Sequence, residues 1–167
     1  MISITIPEQK IFMSKLLASE LFDSYFLESA SIDTYNSFSI DGRIHKEFFK
    51  DIASAEEVPA DEFSRWSRIR PICLDLIKGR QTPLSFKFVL LADDETRKRI
   101  LREADSDISS DLILLGLNIR FSNGRMLVTT GTSMKIFSTD KSAEKAWDKY
   151  IPSFLESNSI KTDTDQD

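Results

Sequence analysis

The chain has 167 residues, of which 41% are apolar and 29% charged, and it carries a formal net charge of -5 at pH 7. That length buries a hydrophobic core without disulfides or metal, so one domain is the expectation, and the acidic balance argues against a surface coated in nucleic acid while leaving room for a local basic face. Cys73 is the only cysteine, which rules out an intrachain disulfide and suits a reducing compartment, the cytoplasm; no run approaches the roughly 18 apolar residues of a membrane helix and no basic segment precedes Met1-Ile2-Ser3-Ile4, so neither a membrane span nor secretion is expected.

Ile2, Ile4 and Ile6 alternate with Ser3 and Thr5, the period-two pattern of a half-buried strand. Pro7 and Glu8 suit the start of a helix, and Ile11, Phe12, Leu16 and Leu17 continue it as one apolar face to about Ser19. From Tyr25 to Ile40, β-branched and aromatic residues interrupted at Thr34-Tyr35-Asn36 predict antiparallel strands, closed by the turn pair Asp41-Gly42. Arg43 to Phe49 is read as the next strand. Residues 50 to 61 are polar and contain Pro59, so they form a loop, with Asp61 placed to cap a helix. Phe63, Trp66, Ile69, Cys73, Leu76 and Ile77 give that helix its spacing, Pro71 is expected to kink or split it, and Gly79 ends it with positive φ.

Leu84 to Leu91 is an apolar run of strand length. A helix follows, with Asp93, Asp94 and Glu95 at its positive end and Arg97, Lys98, Arg99 and Arg102 further on. Leu112 to Phe121 and Met126 to Thr130 flank Asn123-Gly124, the clearest hairpin turn in the chain, and Met134 to Phe137 extends it. Ala143, Ala146, Trp147, Tyr150, Ile151, Phe154 and Leu155 form the stripe of a last helix containing Pro152, and residues 158–167 read as a flexible polar tail.

The two halves share a collinear residue pattern. Gly42, Lys46, Phe48, Asp51, Ser54-Ala55-Glu56, Trp66, Pro71 and Leu74 recur as Gly131, Lys135, Phe137, Asp140, Ser142-Ala143-Glu144, Trp147, Pro152 and Leu155, with a loop-sized insertion between Asp51 and Trp66. The expected fold is therefore α+β: a single domain over residues 1–157, built from two related strand-helix-antiparallel meander-helix repeats, about 1–80 and 84–157.

Phe22-Asp23, Ser37-Phe38-Ser39-Ile40-Asp41-Gly42, Arg70-Pro71 with Leu76-Ile77-Lys78-Gly79, Thr82-Pro83-Leu84 with Phe86-Lys87-Phe88, and Thr130-Gly131-Thr132 together resemble a family of uncharacterised proteins from Gram-positive anaerobes. The resemblance spans nearly everything before the tail and implies a bacterial cytoplasmic protein, but it brings no catalytic residue. More distantly, the twice-repeated order of strand, helix and antiparallel strands looks like the plan of sliding DNA clamps, an analogy of fold and not of function.

His45 is the only histidine, so no histidine metal cluster can form, and Cys73 sits among apolar neighbours that leave a thiol inert. Asp105, Asp107 and Asp111 lack the glycine and final acid of a calcium loop, and Thr129 to Ser133 lacks the glycine-rich turn into a helix that a phosphate loop needs. Trp66 and Trp147 both fall on apolar stripes and read as core. No catalytic group, metal or cofactor is expected. One feature points to ligand contact: Arg65, Arg68, Arg70, Lys78 and Arg80 cluster around Trp66 and Pro71, either as a phosphate or nucleic-acid patch or as a solvated helix flank neutralised by Glu62 and Asp75. The leading expectation is a non-enzymatic binding or scaffold module with a protein partner. A nucleic-acid-associated protein using the basic patch and a small-molecule enzyme without a recognisable motif are the alternatives, and a second copy of the chain is a further candidate partner.

Overall fold

A computed structural model describes residues 1–51 and 58–164. Its elements are β1 (Ser3–Thr5), α1 (Gln9–Leu17), β2 (Phe26–Asp33), β3 (Ser37–Asp41), α2 (Trp66–Ile77), β4 (Ser85–Leu91), α3 (Asp94–Glu103), β5 (Ile113–Ser122), β6 (Arg125–Met134), α4 (Ser142–Ser157) and β7 (Asp163–Thr164). The strands form one antiparallel sheet in the order β3-β2-β4-β5-β6-β1-β7. Along β5 the residues Ile113, Leu115, Leu117, Ile119 and Phe121 are buried, and with the apolar stripes of the four helices they make a single core. The alternate residues Leu114, Asn118 and Arg120 lie on the more open face. The fold is α+β, as expected. Among the described residues no helix is long and apolar enough to cross a membrane.

Local chemistry explains most boundaries. Asp93 starts α3 by accepting the Thr96 N–H at 3.0 Å, and Asp94 and Glu95 follow in the positive first turn. Asn123 and Gly124 take φ of 52° and 72°, which turns β5 directly into β6. Both prolines lie inside uninterrupted helices, so Pro71 does not split α2. Its missing N–H would have bonded back toward Ser67, which is exposed and whose carbonyl water can satisfy.

Three expectations are corrected. Arg43 to Phe49 is not a strand of the sheet: Arg43 forms a single bridge to Phe63, and Lys46–Phe49 is a short 3-10 turn with no buried residue. The reason is a distant competitor. Segment 62–66 pairs with the start of the stretch and with β2, Ile44 donating to Glu62, Ser64 to Gly42, Leu27 to Ser64 and Trp66 to Tyr25 at 2.8–2.9 Å, while Phe48 and Lys50 bond back locally to His45 and Glu47. Asp61 consequently does not cap α2, which begins at Trp66 after an extended Arg65. In the tail, Ile160 is buried and Asp163–Thr164 pairs with Thr5 and Ile4, so an apolar anchor and a strand edge hold a segment expected to be free. Asp165, Gln166 and Asp167 lie outside the described residues.

The order strand, helix, two strands, helix occurs in both halves, but the pairing differs: β4 lies beside β5, whereas β1 lies beside β6 rather than β2. Of the repeated residues, Trp66 and Trp147 are both buried and Pro71 and Pro152 both lie inside helices, but the two glycines differ. Gly131 lies within β6 opposite Gly116, while Gly42 stands just beyond β3, where an added Cβ would come 1.8 Å from the Leu27 carbonyl oxygen. Close backbone approach is what requires glycine there. Ser54-Ala55-Glu56 lies outside the described residues.

Candidate functional site

The basic residues singled out around α2 are spread along its length and differ in their partners. Arg70 is the most constrained: its Nε and Nη2 donate to the two carboxylate oxygens of Asp23 at 2.8 and 3.0 Å, and its Nη1 donates to the Leu17 carbonyl at 3.2 Å. The bonds to Asp23 hold its pKa above the ordinary arginine value. Arg65 lies 4.2 Å over the Phe26 ring, donates to the Ser24 carbonyl at 2.8 Å and approaches Asp93 and Asp61 at 3.9 and 4.0 Å. These two arginines pin α2 to the connection between α1 and β2.

The other three point elsewhere. Lys78 pairs with Asp75 at 2.7 Å and is largely exposed; Arg68 and Arg80 are exposed and make no ion pair among the described residues. Arg68 lies near the start of α2 and Lys78 and Arg80 beyond its end, separated by most of the roughly 18 Å that twelve helical residues span. Each end has a cleft. The first, about 420 Å³, is lined by Asp41, Arg43, Phe48, Arg68, Ile69 and Ile72 among others, and the second, about 430 Å³, by Tyr35, Leu76, Lys78, Arg80 and Leu84. Phe48 is 80% exposed, Tyr35 86%, Leu84 73% and Ile72 51%, so large apolar surface stands beside Arg68 and Arg80. Sequence reading missed Phe48 as a surface residue because it assigned it to a strand; the signal available was an aromatic pair, Phe48-Phe49, between charged neighbours.

Other candidates are structural. Trp66 and Trp147 are fully buried, their indole N–H groups donating to the Leu16 and Gly116 carbonyls. Cys73 is buried and burial pushes its thiol up to about 12, which leaves no thiolate near neutrality. Phe154, expected to be buried with them, is only partly so. His45 is exposed, 4.0 Å from Glu47. Thr130, in β6 as expected, buries a hydroxyl that accepts the Ile2 N–H at 2.9 Å and donates to Asp148, linking β1, β6 and α4. Among the described residues no group of three or more His, Cys, Asp or Glu is arranged to hold a metal ion.

Residues 15–163 match a protein family described as a family of unknown function, DUF5721. The chain belongs to DUF5721. No curated protein and no solved structure matches it. The two apolar, cation-bearing clefts flanking α2 are the candidate site of this DUF5721 member.

Proposed function

We propose that this DUF5721 chain is a non-enzymatic protein-binding module whose docking surface surrounds α2. The observation that carries the reading is the exposure of Phe48, Ile72, Tyr35 and Leu84 beside Arg68 and Arg80. Exposed aromatic and aliphatic side chains next to arginines are the chemistry of protein interfaces, where apolar anchors supply affinity and charges supply orientation. Several charged groups with shifted pKa values are held in ion pairs within the chain: Arg70 with Asp23, Asp94 with Lys98, and Glu144 with the N-terminal amine. Arg65 and Arg70, engaged with acids and carbonyls, are withdrawn from the nucleic-acid reading of the basic cluster.

The test is quantitative affinity capture from the native host with wild type and with a Phe48→Asp, Ile72→Asp double variant of equal thermal stability. The expected result is a protein retained by wild type and lost by the variant. Equal retention by both overturns the reading. So does binding of labelled oligonucleotides at low salt that is weakened by Arg68→Glu and Arg80→Glu, which would favour nucleic acid.

A further inference from the structure

We infer that the docking surface works by strand addition: an extended acidic segment of a partner, with alternating apolar side chains, pairs with the free edge of β3 and lays its side chains into the seam between β3 and α2. This deepens the protein-binding reading and rests on it. β3 is an edge strand, so one row of its backbone groups faces away from the sheet. The phase of the ladder says which row. Thr34 donates to Asn36 and Gly42 donates to Glu28 at 2.9 Å, and the register pairs Ile40 with Ala30 and Phe38 with Ile32. The even residues thus bond to β2, and the N–H and C=O groups of Ser37, Ser39 and Asp41 point outward.

Side-chain placement gives the seam its character. Phe38 and Ile40 share the face of their buried partners Ile32 and Ala30, the face that α2 covers, and both are partly buried there. From α2, Ile69 and Ile72 line the first cleft and Leu76 the second. Each cleft is lined from both sides, the first by Asp41 and the α2 isoleucines, the second by Tyr35 and the end of α2. The five residues of β3 span about 17 Å and α2 about 18 Å, so one extended segment of five or six residues reaches from one cleft to the other.

Charge selects the partner. Each cleft offers one arginine that makes no ion pair among the described residues, Arg68 in the first and Arg80 in the second; Arg43 and Lys78 beside them pair with Glu62 at 2.6 Å and Asp75 at 2.7 Å, and Asp41 is the one acid among the described lining residues of a chain whose net charge is -5. A second copy pairing through its own β3 would set these arginines against one another, whereas an acidic segment meets an unpaired cation at each end of the strand. Main-chain bonds to β3 then supply affinity and the apolar seam reads alternate side chains.

The experiment uses the full chain and a capped peptide of alternating valine and glutamate, with a valine–lysine peptide as its opposite in charge. Amide exchange and chemical shifts are followed by NMR. The expected result is that the glutamate peptide slows exchange at Ser37, Ser39 and Asp41, that the lysine peptide binds roughly tenfold more weakly or not at all, and that the preference shrinks with salt. Ser39→Pro removes one outward donor, and proline is compatible with an edge strand at a position whose N–H faces solvent, so the fold should survive while peptide protection is lost; Ser39→Ala keeps the donor and the binding. No protection of β3 by the glutamate peptide at millimolar concentration overturns strand addition. Protection of Ser37 and Ser39 that appears without peptide and grows with protein concentration overturns it too, since the occupant is then a second copy. If β3 stays unprotected while the Phe48→Asp, Ile72→Asp variant still loses a captured partner, strand addition falls and the protein-binding reading stands.

Discussion

Trp66 and Trp147 each donate an indole N–H to a backbone carbonyl, but in different layers of the molecule: Trp66 to Leu16 in α1 at 3.0 Å, Trp147 to Gly116 in β5 at 2.9 Å. Trp66 lies against Phe88, and Trp147 stacks on Tyr150. Replacing either by Phe removes a buried donor and leaves a carbonyl without its partner, an expected loss of about 1–3 kcal/mol each. Because the two share no hydrogen-bond or aromatic partner, the losses should add in the double variant to within about 0.5 kcal/mol. Urea unfolding of the four proteins checks this, and a larger coupling would show the two sites to be mechanically joined.

Gly42 gives a sharper stability test. A Cβ there would stand 1.8 Å from the Leu27 carbonyl oxygen, beside the register shift between Leu27 and Ser29 in the pairing of β2 with β4. Gly42→Ala must move backbone against backbone, and the expected cost is at least about 2 kcal/mol, at the upper end for adding one methyl to a packed site. A melting temperature unchanged in that variant would mean that β2 and the end of β3 are less closely apposed than this.

Which parts of the fold could be read from sequence follows from the range of the interactions. Asn123-Gly124, the acids Asp93 to Glu95 at a helix start and the alternation of Ile4 and Ile6 are local signals, and each element they announce is present. Arg43 to Phe49 was misassigned because its backbone partners lie in segment 62–66, far along the chain. The same holds for the basic cluster. Spacing sets five cations around one helix, but Asp23 and Asp93, which bind Arg70 and lie near Arg65, come from the α1–β2 connection and the start of α3. Ile160 was missed for a different reason: one apolar residue has no periodicity.

Cys73 should be inert in the native protein. It is buried, and its pKa is pushed up to about 12, so an alkylating reagent at about pH 8 finds neither access nor thiolate. Labelling should be slow, should accelerate sharply on adding denaturant, and should follow unfolding rather than reagent concentration at high reagent. Prompt stoichiometric labelling under native conditions would contradict the packing of α2 on the sheet.

Acid stability should carry a contribution from Asp94. Lys98 at 2.8 Å and the Ser110 hydroxyl at 2.6 Å hold its carboxyl at about 2, below the ordinary 3.8. A depressed carboxylate stabilises the fold fully above about pH 4, and that stabilisation is lost as pH falls toward 2. Asp94 is half exposed, so solvent screening limits the effect to below about 1 kcal/mol. Asp94→Asn should be slightly less stable than wild type at pH 6 and should close the gap between pH 4 and 2, with the difference shrinking in high salt. Parallel pH profiles would remove the assignment.

Arg70 and Arg68, two residues apart on α2, should behave as opposites. Arg70 makes a two-pronged contact to Asp23 and a third bond to the Leu17 carbonyl, with little of either partner in water. Arg70→Ala leaves the Asp23 carboxylate and the Leu17 carbonyl without those donors, and the loss should be about 1–3 kcal/mol. Arg70→Lys should recover only part of it, because an ammonium cannot present two parallel donors to one carboxylate. Arg68 stands in water at the edge of the first cleft, so Arg68→Ala should change stability by less than about 0.5 kcal/mol. In partner capture the order reverses: the folded Arg68 variant should retain less partner than wild type, while Arg70→Lys, held below its melting range, should retain a normal amount. Thermal melts and capture on the same preparations separate the two roles. A destabilised Arg68 variant with unchanged capture would move Arg68 from the docking surface to the scaffold.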